Sequence, residues 1–260
     1  MAEVTAGSEL TAGQMRARVF ESAEALGRAA ARNTAEIVRN AVAAGGQARV
    51  IIATGNSQLP FVRALTEEKD VPWEAVTVFH MDEYVGIEPT HPASFQRWIA
   101  GNITEPLRPA AVHYLQADTT DPEAEARRYE ELLREAPLDL VCLGIGENGH
   151  IAFNEPHQAD FDDPRWARVI SLDDRSRRQQ VDEGHFPDVT AVPEQAITLT
   201  VPALLAPRHI QVVVPERRKA EAVAATFTAP VSPAVPATIL RQQPNAELFL
   251  DSESAALLSV

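Results

Sequence analysis

The sequence predicts an α/β domain built on a parallel sheet covered on both faces. Two observations carry this. Short apolar runs without polar alternation recur along the chain, as strands buried on both faces require, and helix-patterned segments separate them. No internal repeat, low-complexity linker or shift in composition marks a boundary, so one domain over residues 1–260 is expected.

The elements follow in order. Gln14 to Ala44 is alanine-rich and amphipathic, with apolar residues at Val19, Ala23, Leu26, Ala30, Ile37 and Val38. It predicts one long helix, with a break near Arg32-Asn33 and a stop at Gly45-Gly46. Ala48 to Thr54 is a buried strand and Ser57 to Thr66 a helix. Val76 to Phe79 is the next strand, Pro92 to Ile99 helical, and Val112 to Leu115 strand-like. Asp121 to Ala136 opens with Asp-Pro and predicts a helix capped by Asp121. Further strands are expected at Leu138 to Leu143, Arg168 to Leu172, Ile197 to Val201, His209 to Val214 and Glu247 to Leu250, with a helix at Glu216 to Ala225. The proline cluster Ala229 to Ala237 is the best linker candidate, yet too little chain follows it for a second domain.

Composition narrows the function. The 37 acidic against 23 basic residues give a net charge of −14. So acidic a chain is poorly suited to nucleic acid or to anionic lipid. The single cysteine, Cys142, excludes an internal disulfide and any multi-cysteine metal site, and suits a reducing cytoplasm. No secretory leader and no membrane-spanning run is recognisable. Only two lysines, Lys69 and Lys219, stand among those 23 basic residues, which draws notice to each.

In open parallel sheets ligands bind beyond the carboxyl ends of the strands, so strand exits are the places to search. Ala53-Thr54-Gly55-Asn56-Ser57 joins a strand to a helix. Gly55 permits close backbone approach, Ser57 is a candidate cap, and a helix N-terminus favours an anion. Phe79-His80-Met81-Asp82-Glu83-Tyr84 puts two adjacent carboxylates after a buried strand. Neighbours on a strand point apart, so at most one should face a ligand, where it could serve as a general base. Leu143 to Pro156, LGIGENGHIAFNEP, carries three glycines in six residues, a histidine able to titrate near neutrality, and Glu155 beside it. His, Glu and Asp also bind metals, and the His-x₄-Glu spacing is not diagnostic of any zinc signature.

FHMDEYVGI with HPASF downstream, GIGENGHIAFNEP and the late ERRKAEAV together resemble the glucosamine-6-phosphate deaminase family, within a wider group that includes the 6-phosphogluconolactonases. The resemblance implies a Rossmann-like three-layer α/β/α sandwich, no cofactor, no metal, and a sugar-phosphate substrate in the cytoplasm. It implies that Asp82 is the base moving a proton between C2 and C1. His150 would assist ring opening, together with Glu155. The Thr54-Gly55-Asn56-Ser57 loop and Lys219 would hold the phosphate. The family includes monomers and larger assemblies, so a homo-oligomer remains open.

Three departures stand out. Asn148 replaces the family's aspartate before Gly-His and is expected to orient His150 without adding charge. Ile170 stands where the family has a lysine tied to allosteric activation, which argues against that control. The family's phosphate-binding arginine falls in Arg175 to Phe186, where Arg177, Arg178 and His185 are the candidates. The tail segments ITLTVPALL and PATILRQQPNAELFLD are closer to the lactonases. The leading expectation is deamination of glucosamine 6-phosphate to fructose 6-phosphate. The alternatives are 6-phosphogluconolactone hydrolysis and a sugar-phosphate sensor without turnover.

Overall fold

The computed structural model describes residues 4–172, 177–178, 180–181, 184 and 186–259. Among these, the main sheet holds eight strands: β1 (Glu9–Ala12), β2 (Met15–Phe20), β3 (Ala48–Ile52), β4 (Val76–His80), β6 (Ala111–His113), β7 (Leu140–Leu143), β10 (His209–Val214) and β11 (Ala246–Asp251). Their order is β1-β2-β11-β10-β7-β3-β4-β6, and every pairing is parallel except the β1–β2 hairpin. A smaller antiparallel sheet, ordered β5-β9-β8, is made by β5 (Asp82–Tyr84), β8 (Ala167–Ser171) and β9 (Gln195–Leu199).

Side chains alternate between two apolar layers. Val50, Ile52, Val78, Leu140 and Cys142 pack under α1 (Ala23–Gly45), α2 (Leu59–Glu67) and α3 (Phe95–Ile99), through Leu26, Phe61, Leu65 and Ile99. After α3 the chain passes a π-helical stretch into the single turn α4 (Glu105–Leu107). Ile51, Phe79, Val141, Leu143 and Val212 point the other way. There they meet α5 (Pro122–Arg134), α6 (Val201–Leu205) and α7 (Ala220–Thr228), through Tyr129, Leu133, Leu204 and Val223. With both faces buried, most positions of the central strands are apolar, the buried Arg49, His80 and Gln211 being exceptions, and the expected three-layer sandwich results.

Several expectations need correction. The first part of the predicted long helix is strand β2: Met15, Ala17 and Val19 are buried between exposed or half-buried neighbours, a period of two that the following alanines obscure. The helix starts at Ala23, where the Ser22 hydroxyl accepts from the Ala25 N–H (3.2 Å), and it runs unbroken past Arg32-Asn33. The strands at 167–171 and 195–199 join the small sheet, not the parallel one. The proline cluster is no spacer. Val235 packs against Gly149, and the Ala237 N–H donates to the Gly149 carbonyl (2.9 Å), bracing the glycine-rich loop.

From β3 the chain winds outward through β4 to β6, then returns to β7 on the other side of β3 and continues to β10 and β11. The direction of winding therefore reverses between β3 and β7. A crevice opens there at the carboxyl ends.

Candidate active site

Four strand exits converge on one pocket, whose walls include Thr54, Gly55, Asn56, Ser57, Asp82, His150, Glu155 and Lys219. These are the sequence-predicted residues apart from Asn148.

The β3 and β10 exits share one backbone design. After β3, Gly55 adopts φ 106° and ψ 162°, a 3-10 turn (Asn56–Gln58) follows, and α2 begins. The Gln58 N–H returns to the Gly55 carbonyl (3.1 Å). After β10, Glu216 adopts φ 83° and ψ 140°, a 3-10 turn (Arg217–Lys219) follows, and α7 begins. The Lys219 N–H returns to the Glu216 carbonyl (3.0 Å). The Gln58 side chain spans the two exits, donating to the Val213 carbonyl (3.1 Å). Each exit thus aims the start of a helix at the crevice, and Lys219 adds a buried cation. Ser57 does not cap α2; its hydroxyl accepts from Gln58 Nε2 (3.4 Å).

The β7 exit carries the glycine-rich loop. The Gly146 N–H donates to the His150 carbonyl (2.9 Å), folding the loop so that the imidazole lies flat against Gly146. A Cβ at Gly146 would sit 2.2 Å from that ring, so only glycine fits. His150 Nδ1 lies 2.9 Å from Glu155 Oε1 without forming an aligned hydrogen bond, a contact that is an ion pair only when the imidazole is protonated. Asn148 does not line the pocket. Its Nδ2 donates to Glu155 Oε2 and its Oδ1 accepts from the His150 N–H (3.1 Å). The amide therefore orients Glu155 and the loop backbone, and reaches the imidazole only through Glu155.

The β4 exit carries the acid pair. Asp82 faces the pocket, and among the described residues its carboxylate accepts no hydrogen bond. Burial, with Glu83 beside it, pushes it up to about 8. Glu83 points away and is saturated: it accepts from the Tyr84 N–H (3.0 Å), the Ser94 hydroxyl (2.8 Å) and the Gln96 N–H (2.8 Å). Burial raises it as well, while those hydrogen bonds pull the other way. His80 lies wholly inside. Its Nε2 accepts from the Leu115 N–H (2.9 Å), so the ring proton sits on Nδ1 and is donated to the Asp82 carbonyl (3.0 Å). Burial holds this imidazole down at about 4, so it stays neutral and pins the backbone of Asp82.

Sequence reasoning missed Phe95, Phe153, Gln58, Gln180 and Arg218, all in the pocket wall. Arg218 pairs with Glu216 and lies 3.5 Å from Glu147; its place beside Lys219 in ERRK was the available signal. Of the arginine candidates, Arg177 donates to the carbonyls of Val189 (2.8 Å) and Val192 (3.0 Å), and Arg178 is exposed; neither lines the pocket. His185 lies outside the described residues. Among the described residues no three His, Cys, Asp or Glu side chains gather as a metal site, and no helix is long and apolar enough to cross a membrane.

Fold and site define an α/β enzyme whose pocket gathers Asp82, His150 and Glu155 beside two strand exits that each lead into a helix. The chain belongs to the family of glucosamine-6-phosphate isomerases and 6-phosphogluconolactonases, whose model matches residues 21–249. It is similar to the glucosamine-6-phosphate deaminase of Exiguobacterium sibiricum, 35% identical over 208 residues, 80% of each chain. That of Streptococcus pneumoniae is 33% identical over 224 residues, 86% of this chain and 93% of the relative. A solved monomeric glucosamine-6-phosphate deaminase is 27% identical with a TM-score of 0.84, covering 93% of this chain and 99% of the other. A 6-phosphogluconolactonase from Shewanella baltica shares the fold at 21% identity and a TM-score of 0.72, over 90% and 96% of the two chains.

Proposed function

We propose that this chain converts glucosamine 6-phosphate and water to fructose 6-phosphate and ammonia. The observation that carries the reading is Asp82: a buried carboxylate, unpartnered among the described residues, opening into a pocket with cationic and helix-start cradles. Lactone hydrolysis needs no base beside C2, whereas aldose–ketose isomerisation does. The curated relatives named above are deaminases and support the same choice.

In this reading the phosphate lies between the β3 loop and Lys219. His150, with Glu155 behind it, carries the proton between the ring oxygen and the C1 hydroxyl, opening the sugar. Ionised Asp82 removes the C2 proton, and electrons move from the C2–H bond toward C1 through an enolamine. Protonation at C1 leaves an imine at C2. Water adds there, ammonia leaves, and the ketose remains. Phe95 and Phe153 bound the same pocket and limit its water. One domain working in the cytoplasm, in amino-sugar breakdown, fits a chain with one buried, reduced cysteine.

The test is a substrate panel. Ammonium should be released from glucosamine 6-phosphate and not from unphosphorylated glucosamine, and 6-phosphogluconolactone should not be hydrolysed faster than it opens in buffer. Lactone hydrolysis without ammonium would replace the reading, binding without turnover would make the chain a sensor, and preference for galactosamine 6-phosphate would change the substrate.

A further inference from the structure

The two cradles reach the same backbone by different means. Gly55 enters the positive-φ region freely, having no Cβ. Glu216 sits at φ 83° with a full side chain, in a region that only glycine occupies without strain. Such a conformation persists only where its surroundings enforce it. The enforcing group is Asp251. It ends β11, whose register sets Leu250 beside Val214, so its carboxylate stands level with the β10 exit. The Glu216 N–H donates to both of its oxygens (3.3 and 3.1 Å), and the Ser254 N–H donates to Oδ1 (2.7 Å). Asp251 is 3% exposed, so no water competes for these bonds.

We infer that Asp251 is a positioning residue for the substrate's phosphate, holding Glu216 in a glycine-like conformation so that the 3-10 turn presents Lys219 to the pocket. The inference rests on the phosphate-binding reading of Lys219 and extends it to a residue 32 positions away that never touches the ligand. Released from the carboxylate, Glu216 relaxes to negative φ, the return bond from the Lys219 N–H to the Glu216 carbonyl is lost, and the cation swings off its line. The bond-forming and bond-breaking steps at C1 and C2 lie elsewhere and keep their geometry.

The experiment is a double-mutant cycle read with two probes, glucosamine 6-phosphate turnover and inhibition by inorganic phosphate. Asp251→Asn keeps one acceptor and sets an amide NH₂ against an N–H. It should raise KM and the phosphate inhibition constant together, by about tenfold, with kcat within about twofold. In a Glu216→Gly background the same Asp251→Asn change should do little, because glycine holds φ 83° without a clamp. Equal loss in both backgrounds, or no loss in either, would overturn the inference, since Asp251 would then act only through the C-terminal turn or not at all. If Asp251→Asn alone fails to fold, the clamp predicts that the double variant folds; failure of both to fold overturns it. Lys219→Ala separates the two claims. A phosphate constant unchanged by Lys219→Ala rejects the phosphate site itself, and the positioning role with it, whatever the cycle shows.

Discussion

Asp82 and Glu83 are neighbours on one short strand, both buried and both pushed upward in pKa, and their surroundings give them opposite duties. Glu83 is enclosed by donors from the start of α3 and ties β5 to that helix. Asp82 has the pocket before it and no donor on its carboxylate among the described residues. A raised carboxyl is therefore no mark of a catalytic group in itself. What separates the pair is the count of satisfied oxygens: structure uses a carboxylate by filling its lone pairs, and chemistry uses one by leaving them open.

Exchanging the acids for amides tests this contrast most strongly. Asp82→Asn should lower kcat by about 10²–10⁴, the usual worth of a general base. It should also stabilise the fold. An acid raised from 3.8 to about 8 keeps its proton in the folded state while the unfolded chain gives it up, so it lowers stability increasingly as pH rises between those values. The melting temperature of Asp82→Asn should match wild type near pH 4 and exceed it by pH 8. A loss of stability across that whole range would place Asp82 among the structural acids.

Glu83→Gln should do the reverse. An amide offers one acceptor oxygen to three donors, so about 1–3 kcal/mol of stability should go, seen by denaturant unfolding. Removing the neighbouring charge should also move the acid limb of kcat/KM, which follows ionisation of Asp82, to lower pH. An unmoved limb would uncouple the pair.

Lys219→Ala sharpens the comparison from the phosphate side. A point charge on phosphate acts in ground and transition states alike, so KM should rise by about tenfold with kcat nearly kept, the opposite of Asp82→Asn. The smallest effect is expected from Asn148→Asp. The sequence suggests a charge added beside His150, but the amide actually faces Glu155. Two adjacent carboxylates there would repel and favour a shared proton, so folding stability should fall as pH rises and both ionise, while the His150-dependent limb of the rate profile shifts only slightly. A large upward shift of that limb would mean that position 148 senses the imidazole directly.

Much of this was legible in the chain. Buried parallel strands announce themselves as unbroken apolar runs, and the strand-exit rule marks the Thr54 loop, the Asp82–Glu83 pair and the His150–Glu155 loop, while the choice of Asp82 within its pair comes from the family resemblance. The failures are long-range. β2 hides in alanine-rich context, and its identity as a strand depends on pairing with β11 at the far end of the chain. Which of Asp82 and Glu83 faces the ligand depends on β5 pairing with β9, more than 100 residues away. The Glu216–Asp251 contact and the Asn148–Glu155 bond are likewise products of folding that no local pattern encodes.

The central claim is that Asp82 moves the proton at C2, and isotope exchange reads that step directly. Glucosamine 6-phosphate incubated with the protein in D₂O should release ammonium and give fructose 6-phosphate carrying solvent deuterium at C1. Asp82→Asn should give neither product nor exchange of the C2 hydrogen, while still binding inorganic phosphate like the wild type. Exchange and ammonium release at near wild-type rates by Asp82→Asn would contradict the account.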